Sequence, residues 1–304
     1  QAGSLVENGM EKFIFNRRSV LLGAGGLCLA ATGLTSGIAS AGTLLADAKK
    51  DGRIRVGFAN EAPYAFASPD GKLTGLMPDV IGHIMKELGI GDLEGVLTDF
   101  GGLIPGLLAK RFDILGAGLY VTPVRCKQVA ASNPQYVVTE SIAVKKGNPK
   151  NIHSYADIAK DDSIKIGTLA GSINTQYLAT AKVPTSRIVL FPDLPSAIAG
   201  LQGGRVDGVT MSIISLQDVL RKTNDPGIEL VNPFEDPLDE NGKPTRGYGA
   251  AWFRREDEDL VAAYNGKLAE INASGKLLEL MEPYGFTAAQ VPAADVTAAQ
   301  LCKA

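Results

Sequence analysis

From residue 54 onward, short β-branched runs alternate with stretches of helical periodicity, and this alternation constrains the fold more than any other property of the chain. Ile54-Arg55-Val56-Gly57-Phe58-Ala59 is apolar on alternate positions and reads as a strand. Asp70-Gly71 follows as a tight turn of the kind that closes hairpins. Pro78 and Asp79 then open a helix, with proline at an early position and the carboxylate at the positive end of the helix dipole; Val80, Ile84, Met85 and Leu88 form its apolar stripe. A second helix over Ile104–Arg111 leads into an apolar strand over Asp113–Leu119.

The same grammar returns in the second half: a strand at 165–167, a helix from about Asn174, a strand at Ile188–Phe191, a helix at Pro195–Gln202 and a strand at Val206–Met211. Strands separated by helices imply parallel pairing, so the class is α/β. Asp257–Ser274 reads as a long amphipathic helix with Leu260, Ala263, Tyr264, Leu268 and Ile271 on one face. A length of 304 residues suits two domains at roughly 150 residues each. No Pro/Ser-rich tether divides them, so ordered strands must join them, and Val137–Lys145 and Gly247–Phe253 are the extended stretches best placed to cross. On this reading the second domain is inserted into the first.

Composition then closes off several function classes. With 45% hydrophobic and 21% charged residues the chain can bury real cores. Thirty basic against thirty-three acidic residues give a net charge of -3, without the basic field a nucleic-acid partner would require. Two histidines and three cysteines are too few for a His/Cys metal centre, so no metal and no cofactor is expected. His83 and His153 read as structural or surface residues. Gly116-Ala117-Gly118 is a lone Gly-x-Gly, and no P-loop, Gly-x-Ser-x-Gly or His-Glu-x-x-His motif is present, so no catalytic residue is assigned.

Residues 10–41 read as an export signal: a basic Arg17-Arg18 pair, an apolar run beginning Val20-Leu21-Leu22, and a small-residue Ala39-Ser40-Ala41 site with cleavage after Ala41. The arginine pair fits either the twin-arginine or the Sec route. Gln1–Gly9 read as lying upstream of the start. The Gly/Ala/Ser/Thr content of the run falls short of a membrane span, so the mature protein is expected free in the periplasm. Cys28 would leave with the signal. Cys126 and Cys302 would then remain in an oxidising compartment, where one disulfide is the simple inference and two free thiols the alternative.

A series of landmarks in order carries a family resemblance. Gly71-Lys72-Leu73-Thr74-Gly75-Leu76-Met77-Pro78-Asp79-Val80 is followed by Leu103-Ile104-Pro105-Gly106-Leu107-Leu108-Ala109-Lys110-Arg111-Phe112-Asp113-Ile114. Thr122-Pro123-Val124-Arg125 and Ser132-Asn133-Pro134-Gln135-Tyr136 come next, then Gly167-Thr168-Leu169-Ala170-Gly171-Ser172 and Gly203-Gly204-Arg205-Val206-Asp207. Together they resemble the type II periplasmic solute-binding proteins of the polar-amino-acid family, family 3, over nearly all of the mature chain. Asn60-Glu61-Ala62-Pro63-Tyr64, Phe100-Gly101, Leu119-Tyr120 and Pro283-Tyr284-Gly285-Phe286 with Leu301-Cys302 most resemble the branch that binds ectoine or hydroxyectoine. The resemblance implies two lobes, each a mixed sheet flanked by helices, joined by two crossing strands. Residues 45–141 and 247–304 would form the first lobe and residues 142–246 the second.

It also implies a ligand site in the cleft between them. Arg125 would grip the ligand carboxylate through a planar fork, assisted by Thr122 and the Gly118 backbone. Ser172 and Asn174, at the start of a second-lobe helix, would meet the same carboxylate, with Ser172 alternatively only a helix cap. Ile173 stands where many members carry threonine. Amino-acid binders of the family carry an aspartate where this chain has Ser212, and an α-ammonium left without that partner would be costly to bury. Tyr64, Phe100 and Tyr120 can instead enclose a delocalised cation, each face contributing about 0.5–2 kcal/mol, and Glu61 can accept its ring N–H groups. The expected ligand is a small zwitterion, ectoine or hydroxyectoine. A betaine or a polar amino acid is the alternative, and a periplasmic dehydratase of cyclohexadienyl acids, with Glu61 as its acid, the alternative of another class. A sensor role would need a membrane span or kinase segment, and none is read here. The expected partners are the transmembrane permease subunits of an ABC importer, with the binding protein itself a monomer.

Overall fold

The structure, a computed structural model, describes residues 43–239 and 241–303. The export signal at 10–41, with Arg17, Arg18 and Cys28, lies outside the described residues.

Helix α1 (Leu44–Asp51) starts at Thr43, whose hydroxyl accepts from the Ala46 amide, and stops at Gly52 in the left-handed region. Strand β1 (Arg53–Phe58) follows, then a hairpin of β2 (Phe66–Ala67) and β3 (Leu73–Thr74). Asp70-Gly71 forms its turn, with the Gly71 amide donating to the Ser68 carbonyl over 2.8 Å. Helix α2 (Leu76–Glu87) leads to β4 (Asp92–Leu97), and α3 (Leu103–Leu108) to β5 (Ile114–Leu115). After α4 (Pro123–Cys126) come β6 (Ala130–Ala131) and β7 (Tyr136–Val138).

The chain then enters a second body through β8 (Glu140–Lys145), followed by α5 (Tyr155–Lys160), β9 (Ile166–Leu169), α6 (Asn174–Thr180) and β10 (Ile188–Phe191). It continues through α7 (Leu194–Gln202), β11 (Gly208–Ser212), α8 (Ile213–Thr223) and β12 (Ile228–Leu230). The return runs through β13 (Gly247–Gly249) and β14 (Trp252–Phe253) to α9 (Glu258–Ala273), α10 (Lys276–Met281) and α11 (Ala298–Leu301).

Two five-stranded sheets result, in the orders β4-β1-β5-β14-β6 and β10-β9-β11-β8-β12. In the first, β1 is parallel to β4 and β5, while β14 is antiparallel to β5 and β6. In the second, β9 is parallel to β10 and β11, while β8 is antiparallel to β11 and β12. The purely parallel pairing that alternation alone suggested is thus corrected. In each lobe, strands entering from the other lobe run against the local βα units. The fold is α/β, two mixed sheets flanked by helices.

Between the sheets, β7 and β13 pair antiparallel, with Tyr136 opposite Gly249 and Val138 opposite Gly247. A side chain at Gly249 would run into the Tyr136 ring, so glycine is required there. The division expected at 141/142 falls inside β8, and that at 246/247 meets the start of β13; we propose this strand pair as the seam between the lobes.

The first-lobe core centres on fully buried Trp252, whose indole N–H donates to the Leu119 carbonyl over 3.1 Å. Beside it runs a charge network. Arg55 makes two 2.9 Å bonds to Asp113, and Arg254 donates to the Phe112 carbonyl at 2.8 Å and pairs with Asp257 at 3.0 Å. Paired and hydrogen-bonded in this way, these charges sit against the sheet without the cost of isolated ions.

Several boundaries differ from the sequence reading. Helix α2 begins at Leu76, so Pro78 is its third residue and not its opener. The expected helix over 104–111 stops at Leu108, and Lys110 takes a left-handed φ of 57°. The expected strand over 113–119 pairs only at Ile114–Leu115, because Gly118 turns with φ 76° and carries the chain out of the sheet. Cys126 and Cys302 form a disulfide that ties α4 to the chain end across a sequence separation of 176.

Candidate functional site

The short length of β5 is what builds the site. After Leu115 the chain leaves the sheet, and 118–125 become one wall of a cavity between the lobes. From the first lobe that wall holds Glu61, Tyr64, Phe100, Gly118, Tyr120 and Arg125; from the second come Ser172, Ile173, Asn174, Met211 and Ser212. The structure therefore gathers the sequence-expected residues in one place, with the exception of Thr122. That residue lines a neighbouring depression with Arg125. Its hydroxyl caps α4, accepting from the Arg125 amide at 3.3 Å, which aims the arginine inward.

Arg125 is 8% exposed. Its Nη1 donates to the Tyr120 carbonyl at 2.8 Å and its Nη2 to the Gly171 carbonyl of the other lobe at 3.0 Å. Among the described residues no carboxylate pairs with it within 4.0 Å. Burial lowers its pKa to about 10. A buried guanidinium held only by carbonyls is a strong hydrogen-bond donor site for an anion.

Glu61 is 4% exposed, and burial pushes its pKa up to about 7 against the pull of the Ser215 hydroxyl. It ends a relay that crosses between the lobes twice. Tyr64 donates to Ser212 Oγ at 3.0 Å, Ser212 donates to Ser215 Oγ at 2.9 Å, and Ser215 donates to Glu61 Oε1 at 2.8 Å. Ser212 also caps α8, accepting from the Ser215 amide at 3.1 Å, so the positive end of that helix faces Glu61.

Tyr64 packs on Tyr136, with ring centroids 4.9 Å apart, and edge-on to Phe286 at 5.7 Å. Gly118 accepts from the Tyr136 hydroxyl at 2.6 Å, and a side chain there would meet the Tyr64 ring at 2.8 Å. Tyr120 donates to Glu140 Oε1 at 3.0 Å. Phe100 sits in a 3₁₀ turn that precedes α3.

On the second-lobe wall Ser172 shares a 2.9 Å bond with Thr168 and does not cap α6, whose N-cap is Ile173. Asn174 donates to Glu140 Oε2 at 2.6 Å, to Tyr155 at 3.1 Å and to Thr210 at 3.2 Å. As the lobes stand, the cavity is about 20 Å³, room for roughly one water. The polar groups on its walls pair with each other across the cleft. A cavity of this size holds no solute larger than water as the lobes stand.

Glu140, Ser215, Ile173 and Met211 were not singled out from sequence as ligand contacts. Glu140 had a readable signal, a lone charge inside the apolar run 136–144, where a buried carboxylate needs partners. Ser215 and Met211 had none, because their place depends on how α8 and β11 meet the other lobe. Among the described residues no cluster of His, Cys, Asp or Glu could hold a metal, and no helix is long and apolar enough to cross a membrane.

Comparison with known proteins places this geometry. The sequence profile of the bacterial extracellular solute-binding proteins, family 3, matches residues 54–287. A probable amino-acid ABC transporter periplasmic-binding protein of Sinorhizobium fredii is 34% identical over 272 residues, 88% of this chain and 89% of that protein. The crystal structure of EhuB in complex with hydroxyectoine superposes with a TM-score of 0.78 at 37% identity, covering 85% of this chain and 97% of that one. An ancestral amino acid-binding protein, a precursor of cyclohexadienyl dehydratase, superposes with a TM-score of 0.67 at 26% identity over 79% of this chain and 98% of its own. With two sheet-bearing lobes, a cleft lined from both, and a profile match across the body of the chain, the protein belongs to family 3 of the bacterial extracellular solute-binding proteins.

Proposed function

We propose that this protein is the extracytoplasmic substrate-binding subunit of an ABC importer and that it captures ectoine or hydroxyectoine by closure of its lobes. The observation that carries the reading is one cavity lined by an unpaired buried guanidinium, a buried carboxylate and the rings of Tyr64, Phe100 and Tyr120. Arg125 takes the ligand carboxylate. The aromatic faces and Glu61 take a cyclic amidinium, whose positive charge is spread over N–H groups that a carboxylate can accept. The match to EhuB supports the same ligand class. Ser212 supports it from the other side, offering a hydroxyl where an α-ammonium would need a carboxylate.

Closure moves the wall of α6 and α8 onto the first lobe, and the closed form is the one presented to the permease. Export to the periplasm, monomeric behaviour and the absence of catalysis belong to the same reading. A thermal-shift panel of ectoine, hydroxyectoine, glycine betaine, proline betaine, histidine and glutamine tests it, since ligand in large excess over its Kd adds a few kcal/mol to stability. Ectoine or hydroxyectoine gives the largest shift. A shift with histidine or glutamine and none with either ectoine overturns the ligand.

One observation favours a second reading. Glu61, raised to about 7 beside Arg125, has the protonation of a general acid facing a carboxylate substrate, and a relative stands at the root of cyclohexadienyl dehydratase. Aromatic walls suit cations better than such anions. Loss of prephenate on incubation with the protein would establish this reading.

A further inference from the structure

We propose that Glu140, which does not itself line the cavity, is a positioning residue: it holds the Asn174 amide so that the carbonyl oxygen, an acceptor, faces the ligand. The inference depends on the reading above only in taking the cavity as the ligand site.

Glu140 is 2% exposed and begins β8, opposite Ser212 in the ladder and just beyond the crossing strand β7. Both of its oxygens are engaged, Oε1 by the Tyr120 hydroxyl from the first lobe at 3.0 Å and Oε2 by Asn174 Nδ2 from the second at 2.6 Å. Once ionised, above its raised pKa of about 7, this carboxylate only accepts and so dictates the direction of both bonds. Turned over, the Asn174 amide would set Oδ1 against Glu140 Oε2, two acceptors facing each other without a proton between them. Tyr155 and Thr210, which share a 2.6 Å bond, also receive Nδ2 and reinforce the orientation.

Asn174 is 2% exposed and lines the cavity; its Oδ1 accepts no hydrogen bond from the described residues. The second lobe therefore offers an acceptor to whatever lies between the lobes, so in this arrangement Asn174 meets the donors of the ligand and not, as the resemblance implied, its carboxylate. It favours a ligand that carries an N–H or O–H on that side over one whose cationic end is fully methylated. A glutamine in place of Glu140 would not do this, since its own amide could donate to Oδ1 and let Asn174 present either edge.

The test is the ratio of affinities for ectoine and glycine betaine, by isothermal titration calorimetry, in wild type, E140Q and E140Q/N174D. E140Q weakens ectoine about tenfold, the loss of one buried hydrogen bond, and changes glycine betaine less than threefold. E140Q/N174D restores the ratio, because both oxygens of an aspartate are acceptors, and one of them faces the cavity whichever is held by the substituted amide. A residue with only a structural role would weaken both ligands together and leave the ratio unmoved, and that result overturns the proposal. Should E140Q fail to fold, Asn174→Leu removes the same acceptor and must also cost ectoine about tenfold while sparing betaine; equal losses overturn the proposal. If the wild type binds an amino acid and neither ectoine, the ligand reading falls. The role of Glu140 is then tested by the same ratio, that amino acid against its N-trimethyl analogue.

Discussion

Tyr64 donates its phenolic hydrogen to Ser212 Oγ over 3.0 Å, and the two residues stand on opposite lobes. Through Ser215 the same relay returns to Glu61 on the first lobe. The cleft is thus stitched by two polar bonds that exist only when the lobes meet, Tyr64–Ser212 and Ser215–Glu61, linked by Ser212–Ser215 within the second lobe. Buried, each of these bonds contributes about 1 kcal/mol net to the closed form, and each leaves a costly orphan if one partner is removed.

Truncating Tyr64 separates the relay from the ring. Tyr64→Phe keeps the aromatic face and loses the hydroxyl, so ectoine binding weakens about fivefold, equivalent to roughly 1 kcal/mol. Tyr64→Ala also loses the cation–π face and weakens binding by a further 2- to 30-fold or so. Calorimetric titration checks both; equal losses in the two variants would show that the ring face contributes nothing.

Arg125→Ala removes the anchor for the ligand carboxylate. Two charge-assisted hydrogen bonds at about 1.5–3 kcal/mol each predict at least a hundredfold loss of affinity for every carboxylate ligand. Arg125→Lys does not rescue it, because an ammonium cannot reproduce the planar fork. The ligand-free variant should fold, as a buried charge without a carboxylate partner has been removed. A thermal midpoint shift by ligand equal to that of wild type would take Arg125 out of the site.

The pH dependence of binding follows from Glu61, whose pKa rises from 4.5 to about 7 when buried in the closed, ligand-free form. That form holds more protons than the hydrated or unfolded state between these values, so its stability falls as pH rises from about 4.5 to 7. A bound amidinium favours the ionised carboxylate and expels the proton. Ectoine affinity therefore increases from pH 5 to 7.5 and levels off above it. Glu140, raised to about 7 by burial, titrates in the same window from outside the cavity, so Glu61→Gln is the control and flattens the part of the slope that Glu61 causes. Affinity that fell with rising pH would contradict this assignment.

The disulfide between Cys126 and Cys302 closes a loop with a sequence separation of 176. Removing a native bridge of this kind typically costs about 2–5 kcal/mol. In the double serine variant, or under strong reductant, the thermal midpoint should drop by roughly 5–15 °C, with ligand selectivity retained. An unchanged midpoint in calorimetry would mean that the bridge constrains nothing in the unfolded chain.

Much of the site was legible because its residues sit beside recognisable punctuation. Tyr64 follows Pro63, Phe100 precedes Gly101-Gly102, and Arg125 follows Thr122-Pro123, each a place where the chain turns and a side chain is presented. The strand Ile188–Phe191 was legible to the residue, because a β-branched run between turns has one periodicity available. By contrast β4 escaped notice: it is an edge strand, mostly exposed, whose apolar residues Leu93, Val96 and Leu97 do not alternate regularly with polar ones. Thr122 reads equally as a helix cap or a ligand contact until coordinates show its hydroxyl on the Arg125 amide. Glu140 and Ser215 gain their meaning only from the partner lobe, and no local pattern encodes which residues two lobes bring face to face.

Isothermal titration calorimetry of ectoine and glutamine against the wild-type protein tests the central claim most directly, because the two ligands share a carboxylate and differ in how their positive charge is carried. The account predicts one site, ectoine bound at least a hundredfold more tightly than glutamine. Glutamine bound as tightly as ectoine, or more tightly, would mean that the aromatic walls and Glu61 do not select a diffuse cation, and would contradict it.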